Sequence, residues 1–157
     1  MKRGDFLRQW GLSGLKLNIG FLEAEFAPTE PDRLAAWELY IELLTRITTQ
    51  PLPATDGDEA TALASVHALF PLTREILRQH GPGSNEFAKL AIPVLNQIIR
   101  PFTARWHQLS LAGAFADPAQ RAQFRTELGT LQPLLRHYTQ ALAALAGVED
   151  LTGLTND

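Results

Sequence analysis

The longest regular pattern in this chain is DPAQRAQFRTELGTLQPLLRHYTQALAALAG, residues 117–147. It opens with Asp117 and Pro118, which are typical of a helix cap and a first helical turn, and it closes at Gly147, a residue typical of helix ends. Between these ends, large apolar residues alternate at spacings of four and three: Phe124, Leu128, Leu131, Leu135, Tyr138, Leu142 and Leu145. This heptad spacing predicts a long helix packed lengthwise on another helix of the same chain.

Three further helices are predicted before this one. The first follows the cap candidate Thr29 and covers about residues 32–48; the second covers about residues 58–80, and the third covers residues 85–108. A Gly-Pro-Gly stop at residues 81–83 separates the second from the third. Proline removes a backbone donor, so kinks are expected at the internal prolines Pro71, Pro93, Pro101 and Pro133.

The first helix carries apolar residues around more than half of its surface, from Leu34 to Ile47. An arc of that width is more than one neighbouring helix covers, so this helix lies in the centre of a bundle or is covered by a second subunit. A homodimer is the simplest closed assembly that would cover it.

The segment before the helices has the alternation of a strand. Leu15, Leu17, Ile19 and Phe21 alternate with polar residues and glycine. The expected partner of this arm is either the helical bundle of its own chain or the same arm of another copy. We therefore predict an all-α fold: four main helices in a bundle over residues 29–148, an extended N-terminal arm at 1–28, and a flexible tail at 149–157.

Composition excludes several classes of function. The chain has 157 residues, a formal net charge of −3 and no run of basic residues, which disfavours general binding of duplex nucleic acid. It has no cysteine, no signal-peptide pattern and no apolar run long enough to cross a membrane, so a cytoplasmic protein is expected.

Recognised catalytic and metal-binding motifs are also missing from the sequence. It has no glycine-rich phosphate loop, no serine elbow and no metalloprotease histidine pair, and its four histidines are scattered. Glu38 and Glu42 stand one helical turn apart, but neither is followed by the histidine of a di-iron motif, and Glu42 with Arg46 makes a common surface pair. No metal and no cofactor are predicted.

The third helix carries one polar seam, and its residues are the candidate site. At 3.6 residues per turn they project within a sector of about 60°. The seam consists of Lys89, Asn96, Arg100, Thr103 and His107. Histidine can move a proton at neutral pH and arginine can hold a phosphate. Three interpretations remain open: the solvated side of a helix, a recognition surface, or a catalytic site.

Asn96, Arg100 and His107 resemble the motif of HEPN ribonucleases, all-helical domains in which an arginine and a histidine lie a few residues apart. The resemblance implies cleavage of RNA without a metal, in a dimer, with Arg100 and His107 as the catalytic residues. Pro101 and Trp106 beside them depart from that pattern.

A broader resemblance spans roughly residues 15 to 150. The chain is similar to a family of small bacterial helical proteins of unassigned activity that accompany signalling or defence partners. The segments that carry this similarity are 20–26, 37–40, 45–46, 49–52, 73–78, 100–102 and 106–107. It implies an accessory role in which the arginines and the histidine serve recognition. We therefore expect a non-enzymatic protein-interaction module with an unidentified protein partner, and a metal-independent ribonuclease acting on RNA as the alternative.

Overall fold

A computed structural model describes residues 15–18 and 23–155 of the chain. Most of these residues are helical, and two short strands precede the helices. The strands are β1 (Leu15–Asn18) and β2 (Glu23–Phe26). The helices are α1 (Glu30–Leu44), α2 (Glu59–His67), α3 (Leu69–His80), α4 (Asn85–Val94), α5 (Arg100–Leu111) and α6 (Pro118–Ala146), and a π-helical turn (Leu95–Ile99) joins α4 to α5.

The predicted helical class is confirmed, but the number of main helices was wrong. The described part has three long helices: α1, the continuous helix from α4 to α5, and α6. The segment predicted as one helix at 58–80 is two shorter helices that meet at Ala68. Proline has no N–H for the carbonyl four residues earlier and crowds that carbonyl. For Pro71 that carbonyl belongs to His67, which is where α2 ends.

Helix α1 begins at its predicted cap and ends earlier than predicted. Thr29 and Asp32 form a capping box, in which the Asp32 carboxylate accepts from the Thr29 N–H at 2.8 Å. At the other end, the hydroxyls of Thr48 and Thr49 donate to the carbonyl of Leu43, at 3.2 Å and 2.6 Å. These side chains satisfy a carbonyl that the helix leaves open, so the chain turns back before Thr48 instead of continuing as helix.

Helix α6 agrees with its prediction at both ends. Asp117 caps it by accepting a hydrogen bond from the Ala119 N–H at 3.1 Å, and Gly147 follows it in the left-handed conformation, with φ of 72°. The helix runs on through Pro133. All the heptad residues are buried: Phe124, Leu128, Leu131, Leu135, Tyr138, Leu142 and Leu145. They form the inner side of α6, which packs along α1.

The N-terminal segment pairs with itself. β1 and β2 are antiparallel, with Leu15 opposite Phe26 and Asn18 opposite Glu23. Only the first strand was predicted, and it ends at Asn18; Ile19 and Phe21 lie outside the described residues. Four residues separate the two strands, so the first strand has its partner within the same chain and not in the same arm of another copy.

The core lies between α1, α6 and the helices on either side of them. Around α5 it is aromatic: Trp106 meets Phe124 edge-on, with ring centres 5.2 Å apart, and stacks on Phe115 at 6.0 Å. This packing fixes the inner side of α5 and so determines which of its residues face outward. Among the helices of the described ranges, none has the length and apolar character that a membrane crossing requires.

Candidate functional site

The π-helical turn places Arg100 at the start of α5. The Arg100 N–H bonds to the carbonyl of Leu95, five residues earlier, which is the spacing of a π turn. Pro101 follows directly and has no N–H for the carbonyl of Gln97. The wide turn accommodates this missing bond within a continuous helix. Single π turns of this kind frequently accompany functional sites.

The Arg100 guanidinium is held on two sides. Its Nε and Nη2 donate to Oδ1 of Asn96, at 3.2 Å and 3.1 Å, and its Cζ lies 4.7 Å from the centre of the Phe70 ring on α3. A second cation, Arg74, places its Cζ 5.8 Å from the same ring centre. The imidazole of His67 lies 5.7 Å from it, centre to centre. The Phe70 ring therefore gathers two arginines and a histidine from three helices.

These residues line a cleft between α3, the end of α2, and α5. Its basic lobe, of about 150 Å³, is bordered by His67, Phe70, Arg74, Arg100, Thr103 and His107. A neighbouring lobe of about 320 Å³ shares His67, Thr103 and His107 and is otherwise bordered by Ala60, Leu63, Ala64, Ser110 and Phe115. We call the two together the basic cleft, and the second part its apolar lobe.

The structure brings together four of the five seam residues. Arg100 and His107 are exposed and border the cleft; Thr103 is buried between them and donates to the Ile99 carbonyl at 3.2 Å; Asn96 holds Arg100 from outside. Lys89 lies elsewhere: it pairs with Glu86, and its Nζ is 5.5 Å from the centre of the Phe26 ring. The predicted seam assumed a uniform α-helical period, and the π turn between Lys89 and Arg100 breaks that period.

The sequence did not assign His67, Phe70 and Arg74 to a site. They are spaced by three and four residues, so they lie on one side of the chain over about two helical turns across the α2–α3 junction. Their spacing was visible, but Arg78 shares the same outer side and lies outside the cleft, paired with Glu75 at 3.8 Å. Only the packing of α5 against this surface shows that Arg74, and not Arg78, borders the cleft.

The cleft carries uncompensated positive charge. Most described arginine and lysine side chains pair with a carboxylate, for example Arg46 with Glu42 at 2.8 Å. Within the described part of the chain, the arginines that make no such pair are Arg74, Arg100 and Arg136. Two of these three border the cleft, and no described aspartate or glutamate borders either of its lobes. In a chain of net charge −3, this is a local concentration of positive charge.

A second surface lies on α1. Its inner residues, including Ala35, Leu39 and Leu43, are buried against the other helices. Its outer side exposes three large apolar side chains one turn apart: Leu34, Trp37 and Ile41, which are 46%, 40% and 41% exposed. We call these three residues the α1 stripe. The Trp37 ring stacks on Tyr40, with ring centres 5.8 Å apart, which holds it in place at the surface.

Residues 15–18 and 23–155 contain no cluster of three or more side chains able to hold a metal ion. Glu38 and Glu42, the carboxylates one turn apart on α1, each have another partner: Oε1 of Glu38 accepts from Nε2 of His80 at 3.2 Å, and Glu42 pairs with Arg46. Comparisons of the chain with protein-family models, with curated proteins and with solved structures found no match.

Proposed function

We propose that this protein is a non-enzymatic interaction module, built on a helical bundle, that serves as an adaptor or accessory protein. One observation carries the proposal: the α1 stripe, an ordered row of Leu34, Trp37 and Ile41 on the outer side of a helix whose inner side is already buried. Contiguous apolar surface of this kind marks protein contacts, and tryptophan is enriched where such contacts contribute most to binding.

The first partner in this proposal is a second copy of the chain. Two α1 helices related by a two-fold axis would bury both stripes against each other, and a two-fold dimer is the commonest closed assembly. A setting in bacterial defence or signalling belongs to the proposal as well and comes from the sequence resemblance alone. A further protein would then bind the dimer through surface that the paired stripes leave free.

Sedimentation velocity from about micromolar to millimolar protein tests the proposed dimer. We expect the unmodified protein to dimerise and Ile41→Glu to be monomeric with unchanged circular dichroism, because a charge buried at the interface has no partner. Leu111→Glu is the matched control, since Leu111 is 78% exposed and lies outside the stripe; it should leave the dimer intact. Sedimentation as a monomer throughout this range, or a dimer that survives Ile41→Glu, would reject this surface.

A metal-independent ribonuclease is the second candidate, and one observation favours it. Arg100 and His107 border the same open lobe, and Asn96 orients Arg100. In this candidate His107 would transfer a proton at the scissile phosphate, and Arg100 would stabilise the charge that develops there.

Incubation of the purified protein with single-stranded and structured RNAs, in the presence of a chelator, tests the ribonuclease. A catalytic role for His107 or Arg100 requires that His107→Ala and Arg100→Ala each lower the cleavage rate by about 10²-fold or more while the fold is retained. Arg136→Ala, which removes an unpaired arginine outside the cleft, should cleave like the unmodified protein. If no RNA is cut, the interaction module stands alone.

A further inference from the structure

The basic cleft has the features of a small-molecule site. Neither the proposed interaction surface on α1 nor the predicted polar seam requires such a site. It combines two parts of different chemistry: a small lobe with Arg74 and Arg100, and a larger lobe walled by Ala60, Leu63 and Phe115. The larger lobe alone, of about 320 Å³, has the size at which ligand pockets begin, roughly 300 Å³. A ligand that fills both parts has an anionic end and a flat, mostly apolar body.

The anionic end fits a phosphate. Arginine has five N–H donors, and Arg100 uses two of them, one on Nε and one on Nη2, for Asn96. The donors that remain, including both on Nη1, form the fork that binds two phosphate oxygens at once. Arg74 stands beside the same Phe70 ring, so two guanidinium groups border the small lobe. A phosphate monoester, with up to two negative charges, matches these two cations.

The flat body fits a nucleobase. Aromatic side chains stack on bases of any sequence, and the apolar lobe offers the Phe115 ring together with the imidazoles of His67 and His107. The small side chains of Ala60 and Ala64 leave room on the α2 side, and the Ser110 hydroxyl on the α5 side can accept from a base or a ribose. An amino-acid chain carrying a phosphate would leave this lobe unfilled.

We propose that the basic cleft binds a nucleoside monophosphate, with the phosphate between Arg74 and Arg100 and the base in the apolar lobe beside Phe115. This site is separate from the α1 stripe, so it can be present or absent whether or not the chain forms a dimer. The proposed function is tested by sedimentation and this site by ligand binding, and failure of one leaves the other unaffected.

Isothermal titration calorimetry with AMP, GMP, CMP and UMP tests the site directly. We expect at least one of them to bind with a Kd below about 1 mM. The matching nucleoside, for example adenosine for AMP, should bind at least about tenfold more weakly than the nucleotide, and so should inorganic phosphate. Arg74→Gln and Arg100→Gln should each lower the affinity about tenfold or more, because each removes charge-assisted hydrogen bonds. Arg136→Gln is the matched control: Arg136 is the third arginine without an ion pair, it lies outside the cleft, and its variant should bind within about twofold of the unmodified protein.

Histidine signals in proton NMR give a second measurement, made on the unmodified protein. His67 and His107 border the cleft, whereas His80 contacts Glu38 and His137 lies on the outer side of α6. Added nucleotide should shift the ring signals of His67 and His107 and leave those of His80 and His137 in place. Each signal is assigned beforehand by a single His→Gln variant.

Several results would overturn the site. The first is that none of the four nucleotides binds, and the second is that inorganic phosphate binds as tightly as the nucleotide. The others are an unchanged nucleotide affinity in Arg100→Gln, and NMR shifts that occur only at His80 or His137. Binding of an RNA oligonucleotide or a phosphoserine peptide without binding of any mononucleotide would also overturn it, since the ligand would then be a macromolecule.

Discussion

Arg100 donates two hydrogen bonds to Asn96, from Nε at 3.2 Å and from Nη2 at 3.1 Å, and this pair fixes one edge of the guanidinium at the rim of the basic cleft. Asn96 lies inside the π-helical turn and Arg100 follows that turn. An α-helical turn brings residues four apart onto one side as well; here the π turn ends at Ile99, directly before Arg100, and Pro101 on the other side of Arg100 has no N–H. Asn96 is therefore a positioning residue for Arg100.

Asn96→Ala should weaken nucleotide binding in the cleft by up to about tenfold, because Arg100 then has to be ordered by the ligand itself. Asn96→Asp should weaken it further, because the new carboxylate pairs with Arg100 and repels the phosphate. Both residues are exposed, so the midpoint of thermal unfolding should change little in either variant. Calorimetry and thermal unfolding on the same samples measure the two effects. Equal affinity in the two variants, or a loss of affinity that follows a loss of stability, would contradict the positioning role.

Glu59, the first residue of α2, ties that helix to α6. Its Oε2 accepts from Nε and Nη2 of Arg125, at 3.0 Å and 2.6 Å, and its side chain is only 9% exposed. Arg125 also donates to the carbonyls of Pro53 and Asp56, at 2.8 Å and 3.2 Å. Glu59→Gln keeps the shape and removes the charge, so it should lower the free energy of unfolding by about 2 kcal/mol.

Urea denaturation compares this variant with Glu75→Gln, its control. Glu75 pairs with Arg78 at 3.8 Å where both side chains are 72% exposed, and exposed pairs of this kind contribute little, so the control should stay within about 0.5 kcal/mol of the unmodified protein. Equal losses in the two variants would mean that Glu59 contributes no more than a surface pair.

Helix α6 could be predicted from the sequence because three signals agree despite the internal Pro133: Asp117 as cap, Gly147 as stop, and an unbroken heptad pattern between them. The prediction of a single second helix was wrong because of one residue. Pro71 was expected to kink it, but proline acts on the carbonyl four residues earlier, and the chain divides at Ala68 instead. The position of a break follows from the geometry of the missing hydrogen bond, which periodicity of apolar residues does not show.

The candidate site could be predicted only in part. Asn96, Arg100 and His107 share a side of one helix, and helical spacing is enough to group them. Arg74 is 26 residues away from Arg100 along the chain, and only tertiary packing brings it to the same Phe70 ring. Lys89 was grouped with the seam because the sequence offers no sign of the π turn that shifts it away.

Acid should destabilise the start of α2 through Asp58. Its side chain accepts from the Thr61 hydroxyl, from the Thr61 N–H at 3.1 Å and from the Ala60 N–H at 3.3 Å. These hydrogen bonds, and above all the one from the Thr61 hydroxyl, hold the pKa of the Asp58 carboxyl below its ordinary value. A carboxyl whose pKa is lower in the folded state stabilises the fold above its unfolded pKa of about 3.9, and this contribution is lost as the pH falls through the folded value.

Asp58→Asn keeps a capping residue but removes the titration, so the difference in unfolding free energy between this variant and the unmodified protein isolates the Asp58 contribution. We expect the unmodified protein to be the more stable of the two above about pH 5, and the difference to shrink as the pH falls below about 4. Urea denaturation across that range measures it. A difference that stays constant with pH would show that the carboxylate charge does not support the cap.

Tyr138 carries a hydroxyl that has no hydrogen-bond partner among the described residues, although the side chain is only 2% exposed. Burial also raises the pKa of this hydroxyl above its ordinary value. Tyr138→Phe removes the hydroxyl and keeps the ring that packs in the heptad pattern of α6. Because an unsatisfied buried group is unfavourable, the variant should be as stable as the unmodified protein or more stable by about 1 kcal/mol at neutral pH.

The same substitution should have a larger effect in alkali. A group whose pKa is raised in the folded state contributes stability below its unfolded pKa, which is about 10 for tyrosine, and this contribution is lost as the pH rises towards the folded value. Above about pH 10 the unmodified protein should therefore lose stability relative to Tyr138→Phe. Tyr40→Phe is the control, because the Tyr40 hydroxyl accepts from the Leu151 N–H at 2.6 Å and donates to the Glu149 carbonyl at 3.4 Å, so its loss should cost about 1 kcal/mol at neutral pH. Urea denaturation at neutral pH separates the two tyrosines; at about pH 10.5 both variants should gain stability relative to the unmodified protein, because burial raises the pKa of the Tyr40 hydroxyl as well. If Tyr138→Phe is as destabilising as Tyr40→Phe at neutral pH, the Tyr138 hydroxyl has a hydrogen-bond partner in solution.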